Sequence, residues 1–192
     1  MARPRIDEAE YRDRLIAAAE DMLRETGGQR LVLSELAART GMSQSYAYRF
    51  FATKADLVRA LAARWFAEVE ALSAAQTDLQ SWLLAMLRLK RDRYLADPAV
   101  FDAYLRLAAD HTDLVRTHSA RLHDDVAALL GQHVPPPQVP AALALFLDAT
   151  TLFRDPACIS AAKGAISDDR GSAVVQMLLT HWEHTDRGAK NL

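Results

Sequence analysis

Between residues 43 and 54 the chain carries Ser43, Gln44, Ser45, Tyr46, Tyr48, Arg49 and Lys54, a run of short polar, aromatic and cationic side chains. On the outer face of a helix such a set supports two kinds of contact. A glutamine amide pairs bidentately with adenine and an aromatic edge meets a thymine methyl, so Gln44, Ser45 and Tyr46 are candidates for base edges and point to an A/T-containing half-site. Ser43, Tyr48, Arg49 and Lys54 are candidates for phosphate contact, with Lys54 reinforced by the positive end of the helix it opens.

These side chains need a rigid support, and the flanking pattern supplies one. Leu33, Leu36 and Ala37 recur at helical spacing, Gly41 gives the backbone freedom of a tight turn, and Ser43 is placed to cap a second helix from Gln44 to about Phe51. That helix puts Ala47, Phe50 and Phe51 on one face and leaves Gln44, Ser45, Tyr46, Tyr48 and Arg49 to cover the rest. Two short helices around a turn, the second polar on its outside, form a helix-turn-helix, in which the start of the second helix enters the DNA major groove. Upstream, residues 7–26 are amphipathic through Tyr11, Leu15, Ala18, Ala19, Met22 and Leu23 and end at Gly27 and Gly28, which predicts a scaffolding helix. Arg3 and Arg5 precede it and suit either a basic arm on DNA or a solvated terminus. Downstream, Thr53 and Asp56 make a capping box that opens a helix over residues 54–74. Its stripe of Leu57, Val58, Leu61, Trp65, Val69 and Leu72 runs beyond a three-helix head and must contact a second domain.

The remaining sequence is also helical in pattern. Helices are predicted over residues 78–95, with Leu79, Trp82, Leu83, Met86 and Leu89 inside and Arg88, Lys90, Arg91 and Arg93 mainly outside, and from Pro98 through Phe101, Tyr104, Leu105 and Ala108. A further helix runs from Thr112 or Asp113 to about Leu130, and the stiff Val134 to Pro137 link leads to residues 141–154, apolar enough to be buried on several sides. The stretch from Asp155 to Ser172 reads as irregular or briefly helical, residues 172–185 as the last helix, and 186–192 as a frayed tail. With 192 residues, 51% of them hydrophobic and 25% charged, and only 7 Gly and 7 Pro, the chain is expected to be an all-α protein. The net charge of −2 is weakly divided: residues 1–64 hold 11 Lys/Arg against 9 Asp/Glu, and residues 65–192 hold 12 against 16. Charge alone therefore permits DNA binding without arguing for it.

Other chemistries find little support. No nucleophile elbow, phosphate-binding glycine loop, dinucleotide fingerprint or His-Glu-x-x-His stands in the sequence, so no enzyme and no cofactor is expected. Asp102, His111, His118 and His123, or His181 with His184, lack a convincing metal-ligand spacing, and no metal is expected. The lone Cys158 excludes an internal disulfide framework, and neither a signal-peptide core nor an apolar run of about 20 residues is present, which predicts a cytoplasmic protein without membrane insertion.

Gly41, Ser43, Tyr48, Phe51, Lys54, Asp56 and Leu57 together match the signature of the TetR family of one-component transcriptional regulators, which the chain closely resembles. Two positions depart from the pattern: Ala47 stands where a larger aliphatic residue is usual, and Val32 where a capping Thr or Ser is common. The resemblance implies a three-helix DNA-binding domain over residues 1–52 and an effector-binding and dimerisation domain over 53–192, with 53–74 as connecting helix. It implies a homodimer formed through residues 141–154 and 172–185 as a four-helix bundle, a palindromic operator, and repression relieved by a small effector. Trp82, Met86, Phe101, Tyr104, Leu105, Leu122, Val126, Phe146 and Phe153 are the candidate walls of an effector cavity, and their character suits an apolar or aromatic organic molecule. A helical small-molecule-binding or interaction module with a degenerate DNA-binding head is the alternative, favoured by Ala47.

Overall fold

The structure, a computed structural model, describes residues 8–189, with side chains through residue 184. Every regular element among them is helical: α1 (Glu8–Glu25), α2 (Leu33–Arg39), α3 (Gln44–Phe50), α4 (Lys54–Ala74), α5 (Leu79–Ala96), α6 (Pro98–Ala109), α7 (Thr112–Leu130), a 3₁₀ turn (Pro136–Gln138), α8 (Val139–Arg154), α9 (Pro156–Ala161) and α10 (Asp168–Ala189). Arg3 and Arg5 lie outside the described residues. The chain divides into two compact units, one holding the described residues up to Trp65 together with Ala99–His111, the other holding Phe66–Pro98 and the described residues from Thr112.

The first unit is built on α1, whose Leu15, Ile16, Ala19, Met22 and Leu23 form a continuous buried stripe at helical spacing. Against it lie Leu33, Leu36 and Ala37 of α2, Ala47 of α3, and Leu57, Val58, Ala60 and Leu61 from the first half of α4. Helix α6 adds Val100, Ala103 and Tyr104 to the same core. Trp65 packs on the rings of Tyr104 and Phe101, at centroid distances of 4.2 and 5.6 Å, and the Tyr104 hydroxyl donates to Glu20 at 3.1 Å. Gly28, with φ of +78°, lies so close to α6 that a Cβ there would stand 2.3 Å from that of Ala103, which explains the glycine.

In the second unit α5 is the central element, packing on α7, α8, α9 and α10. Its buried stripe of Leu79, Trp82, Leu83, Met86 and Leu87 meets Leu122, Val126, Leu129 and Leu130 of α7 and Ala142, Phe146 and Phe153 of α8 in one helical layer. Polar side chains fix the register of the second half of α4. The Trp82 indole donates to Ser73 Oγ at 2.8 Å, and Ser73 donates to Asp125 at 2.5 Å. His118 Nδ1 lies 2.8 Å from Glu70, whose other oxygen accepts from Arg121 at 2.6 Å, while the His118 ring stacks on Phe66 at 4.0 Å. Burial alone would raise the Glu70 carboxyl, but the hydrogen bonds from His118 and Arg121 hold it below its ordinary value.

Two helices and one side chain differ from the sequence-based expectation. The last helix begins at Asp168, because Gly171 is an inward packing position, 3.4 Å from Phe153 at its virtual Cβ, and does not interrupt the helix. Asp168 is fixed there by Arg88 and Arg91, at 2.7 and 2.6 Å, and the helix continues to Ala189, so much of the expected tail is helical. Helix α8 starts at Val139 with a proline in its first turn, and it buries a single face in this chain, leaving Leu145 and Leu152 exposed. Residues 156–161 form a short helix, in keeping with the briefly helical reading of this stretch, capped by Asp155 through the amides of Ala157 and Cys158. Lys90, expected outside, is buried, and its ammonium donates to the Arg154 carbonyl at 2.7 Å.

Burial, reinforced by the charges of Arg154 and Arg93 and opposed by Asp155, brings the Lys90 ammonium from 10.5 down to about 8. Between those pH values the unfolded chain holds the proton that the folded chain has released, so folding stability at this site rises with pH. Thermal melts of the wild type and Lys90→Met across that window should therefore diverge in favour of the wild type as pH rises; parallel curves would contradict the burial of the charge.

Candidate nucleic-acid interface

The first unit presents α3 through a tightly specified turn. Thr40 closes α2, its hydroxyl donating to the Leu36 carbonyl at 2.8 Å, and Gly41 follows with φ of +70°, a conformation that glycine adopts without steric cost. The amides of Gly41 and Met42 return to the carbonyls of Ala38 and Ala37, at 3.2 and 2.8 Å. Ser43 then caps α3, its hydroxyl accepting from the Tyr46 amide at 3.3 Å and lying 3.2 Å from the Ser45 hydroxyl. Beyond α3, Thr53 and Asp56 form the expected capping box. The Asp56 carboxylate accepts from the Thr53 amide at 2.9 Å, and the Thr53 hydroxyl accepts from the Asp56 amide at 3.1 Å.

Within this frame α3 has two clearly different sides. Ala47 is fully buried and Phe51, just beyond the helix, is 2% exposed, whereas Ser43, Gln44, Ser45, Arg49 and Lys54 are exposed. Tyr48, at 43% exposure, faces outward. Tyr46 is half-buried: its ring meets Tyr11 edge-on at 5.5 Å and Phe50 edge-on at 5.2 Å, and the Arg49 guanidinium lies 5.5 Å from its centroid. One edge of Tyr46 thus belongs to an aromatic cluster that anchors α3 to α1. Arg49 is 3.9 Å from Glu8, both largely solvated, a pairing worth little in water.

Sequence reasoning placed these outward residues but missed two that hold them. Tyr11 was assigned to the scaffolding stripe, yet it packs on both Tyr46 and Phe50, the latter at 6.4 Å. Arg14 donates to the Thr40 carbonyl at 3.0 Å, setting a cation against the C-terminal end of α2. Their positions on α1 reveal no partner, because both contacts join residues far apart in sequence.

Two family models match the chain in succession. Residues 15–61 match the model for bacterial regulatory proteins of the tetR family, and residues 75–175 match a tetracyclin repressor-like C-terminal domain. The chain belongs to the TetR family. A crystal structure of a tetR-family transcriptional regulator from Streptomyces coelicolor is similar in fold, with a TM-score of 0.57 at 20% sequence identity, covering 91% of this chain and 90% of that one. No curated protein matches the sequence. As a TetR-family transcriptional regulator the chain carries a DNA-binding helix-turn-helix followed by a larger helical domain.

The two departures from the family pattern have visible structural outcomes. Ala47 is fully enclosed by the core of the head. Val32 gives α2 no side-chain cap, and its backbone carbonyl accepts from the amides of Glu35 and Leu36 at 3.2 and 3.1 Å. The aromatic and aliphatic residues expected along a cavity separate into two groups. Trp82, Met86, Leu122, Val126, Phe146 and Phe153 are buried in the second unit, where the Trp82 and Phe146 rings meet at 5.9 Å. Phe101 and Tyr104 are buried and Leu105 half-buried on α6, within the first unit. Among the described residues no group of three or more His, Cys, Asp and Glu is placed to hold a metal ion, and no helix is long and apolar enough to cross a membrane.

Each aromatic pair made by Tyr11 contributes on the order of 1 kcal/mol beyond its buried area. Tyr11→Ala is expected to accelerate amide hydrogen exchange at Tyr46, Ala47 and Phe50 by about 3- to 10-fold while Tyr11→Phe leaves it near wild type. Unchanged exchange in the alanine variant would show that α3 is held without this cluster.

Proposed function

We propose that the chain is a ligand-responsive repressor that binds a palindromic operator as a homodimer. The reading head is residues 1–52, and residues 53–192 bind the effector and dimerise, with 53–74 as connecting helix. The observation that carries this reading is the two-sided α3, anchored through Ala47 and Phe51 while Gln44, Ser45, Tyr48 and Arg49 remain exposed. Gln44, Ser45 and the free edge of Tyr46 contact bases, and Ser43, Tyr48, Arg49 and Lys54 contact phosphates. Dimerisation through α8 and α10 is supported by the exposed Leu145, Leu152 and Met177, the last 72% exposed, since a dimer would remove these apolar side chains from water.

The effector is a small organic molecule bound by the C-terminal domain, with Trp82, Met86, Leu122, Val126, Phe146 and Phe153 of the second unit as its apolar contacts. Two heads on one face of the duplex require half-sites about 34 to 36 Å apart or a multiple of that. The lever through which effector binding changes head spacing is helix α4, a role supported by its beginning in the head's unit and ending in the second. The effector must bind the DNA-incompetent spacing more tightly, because equal affinity for both states shifts nothing.

Selection of bound fragments from random duplex DNA, with affinity followed against salt, tests the proposal. The expected result is an enriched palindrome, two protomers per site and a steep fall in affinity with salt. Failure of folded, effector-free protein to enrich any sequence at low salt would overturn it.

A further inference from the structure

The second unit contains a buried lysine, Lys90, and a half-buried arginine, Arg154, that no acidic side chain neutralises by a direct ion pair. Lys90 uses one of its three N–H donors on the Arg154 carbonyl, and Arg154 Nη2 donates to the Leu147 carbonyl at 2.9 Å. Arg154 Nε is buried with no hydrogen-bond partner at all. The two charges oppose one another, and the nearby Asp155 carboxylate accepts from the amides of Ala157 and Cys158 instead. Asp148 and Asp155 favour the charged form of Arg154 without an ion pair to it, and the remaining charged groups around the two cations are committed or add to the excess. Glu70 is held by His118 and Arg121, Arg93 is paired with Glu68, and His123 feels the Arg154 charge. Leaving buried donors and like charges in this state is costly, so a place of this kind favours an incoming anion.

The cations also stand at a defined position relative to the apolar stripe. Lys90 is one helical turn beyond Met86 and two beyond Trp82 on α5, and Arg154 directly follows Phe153 on α8. Two turns of helix span about 12 Å, the scale of a medium-length acyl chain or a substituted aromatic acid. We propose that the effector is a carboxylate with an apolar body, its carboxylate bound by Lys90 Nζ and Arg154 Nε and its body lying along Trp82, Met86 and Phe146. This inference rests on the effector-binding role proposed above and replaces a purely apolar effector with an amphipathic anion. A charge-assisted pair of contacts to one carboxylate would supply specificity that aliphatic walls cannot.

Calorimetric titration of the full-length protein with octanoate and with octanamide, compounds of the same length and different charge, tests it. Octanoate should bind at least tenfold more tightly than octanamide. Lys90→Gln, which keeps a donor for the Arg154 carbonyl, should lose at least tenfold in octanoate affinity with an unfolding midpoint no lower than wild type. Equal affinity for acid and amide in the wild type would overturn the anionic subsite while leaving an apolar effector site standing. Binding of neither compound to the folded protein would overturn the subsite and count against the effector-binding role as well.

Discussion

Helix α3 is seven residues long, well below the roughly 12 to 15 residues at which an isolated helix becomes even marginally stable in water. Its existence therefore depends on removing Ala47 and Phe51 from water within the core that α1, α2 and α4 share. Truncating a buried phenylalanine such as Phe51 costs on the order of 3–5 kcal/mol, a large fraction of a small unit's stability. The Ser43 cap, the Gly41 turn and the Tyr11 cluster then determine which way the helix faces. Anchoring is thus done from the inward side and through Tyr46, which leaves the exposed Gln44, Ser45, Tyr48 and Arg49 with little part in it.

The larger unit solves a different problem, that of burying polar groups within a helical bundle. Trp82, Ser73 and Asp125 form a continuous chain of donors and acceptors, and Glu70 is satisfied from both sides by His118 and Arg121. Such pairings cost little once complete and select one register between α4, α5 and α7, since a shifted register would strand their partners. Lys90 and Arg154 depart from this pattern by meeting mainly backbone carbonyls, which leaves Arg154 Nε without a partner.

Most elements of the fold were legible because their signals are local. Ser43 and Thr53 mark helix starts through hydrogen bonds to residues three positions away, Pro98 suits a first turn, and the α1 stripe declares its own buried face. What escaped the sequence depends on distant partners. Gly171 reads as a helix breaker until Phe153 and Leu83 are seen beside it, and Lys90 reads as a surface residue until the end of α8 arrives over it. The same distinction applies on α3: the identity of the outward residues follows from helical periodicity, whereas the engagement of Tyr46 with Tyr11 follows only from tertiary packing. The grouping of the expected cavity residues into two units was also hidden, because helical spacing records that Phe101 and Phe146 face inward but not into which core.

The central claim is that the outward face of α3 contacts DNA and contributes little to holding the head together. Its most direct test is to measure the affinity of Gln44→Ala, Tyr48→Ala and Arg49→Ala for one selected duplex alongside the thermal unfolding midpoint of each. The account predicts losses of about 1–3 kcal/mol in binding for the base-reading Gln44 and a weakening across all sequences for the phosphate-facing pair, with midpoints near wild type. Unchanged affinity in all three variants, or affinity that falls only in step with the midpoint, would contradict it.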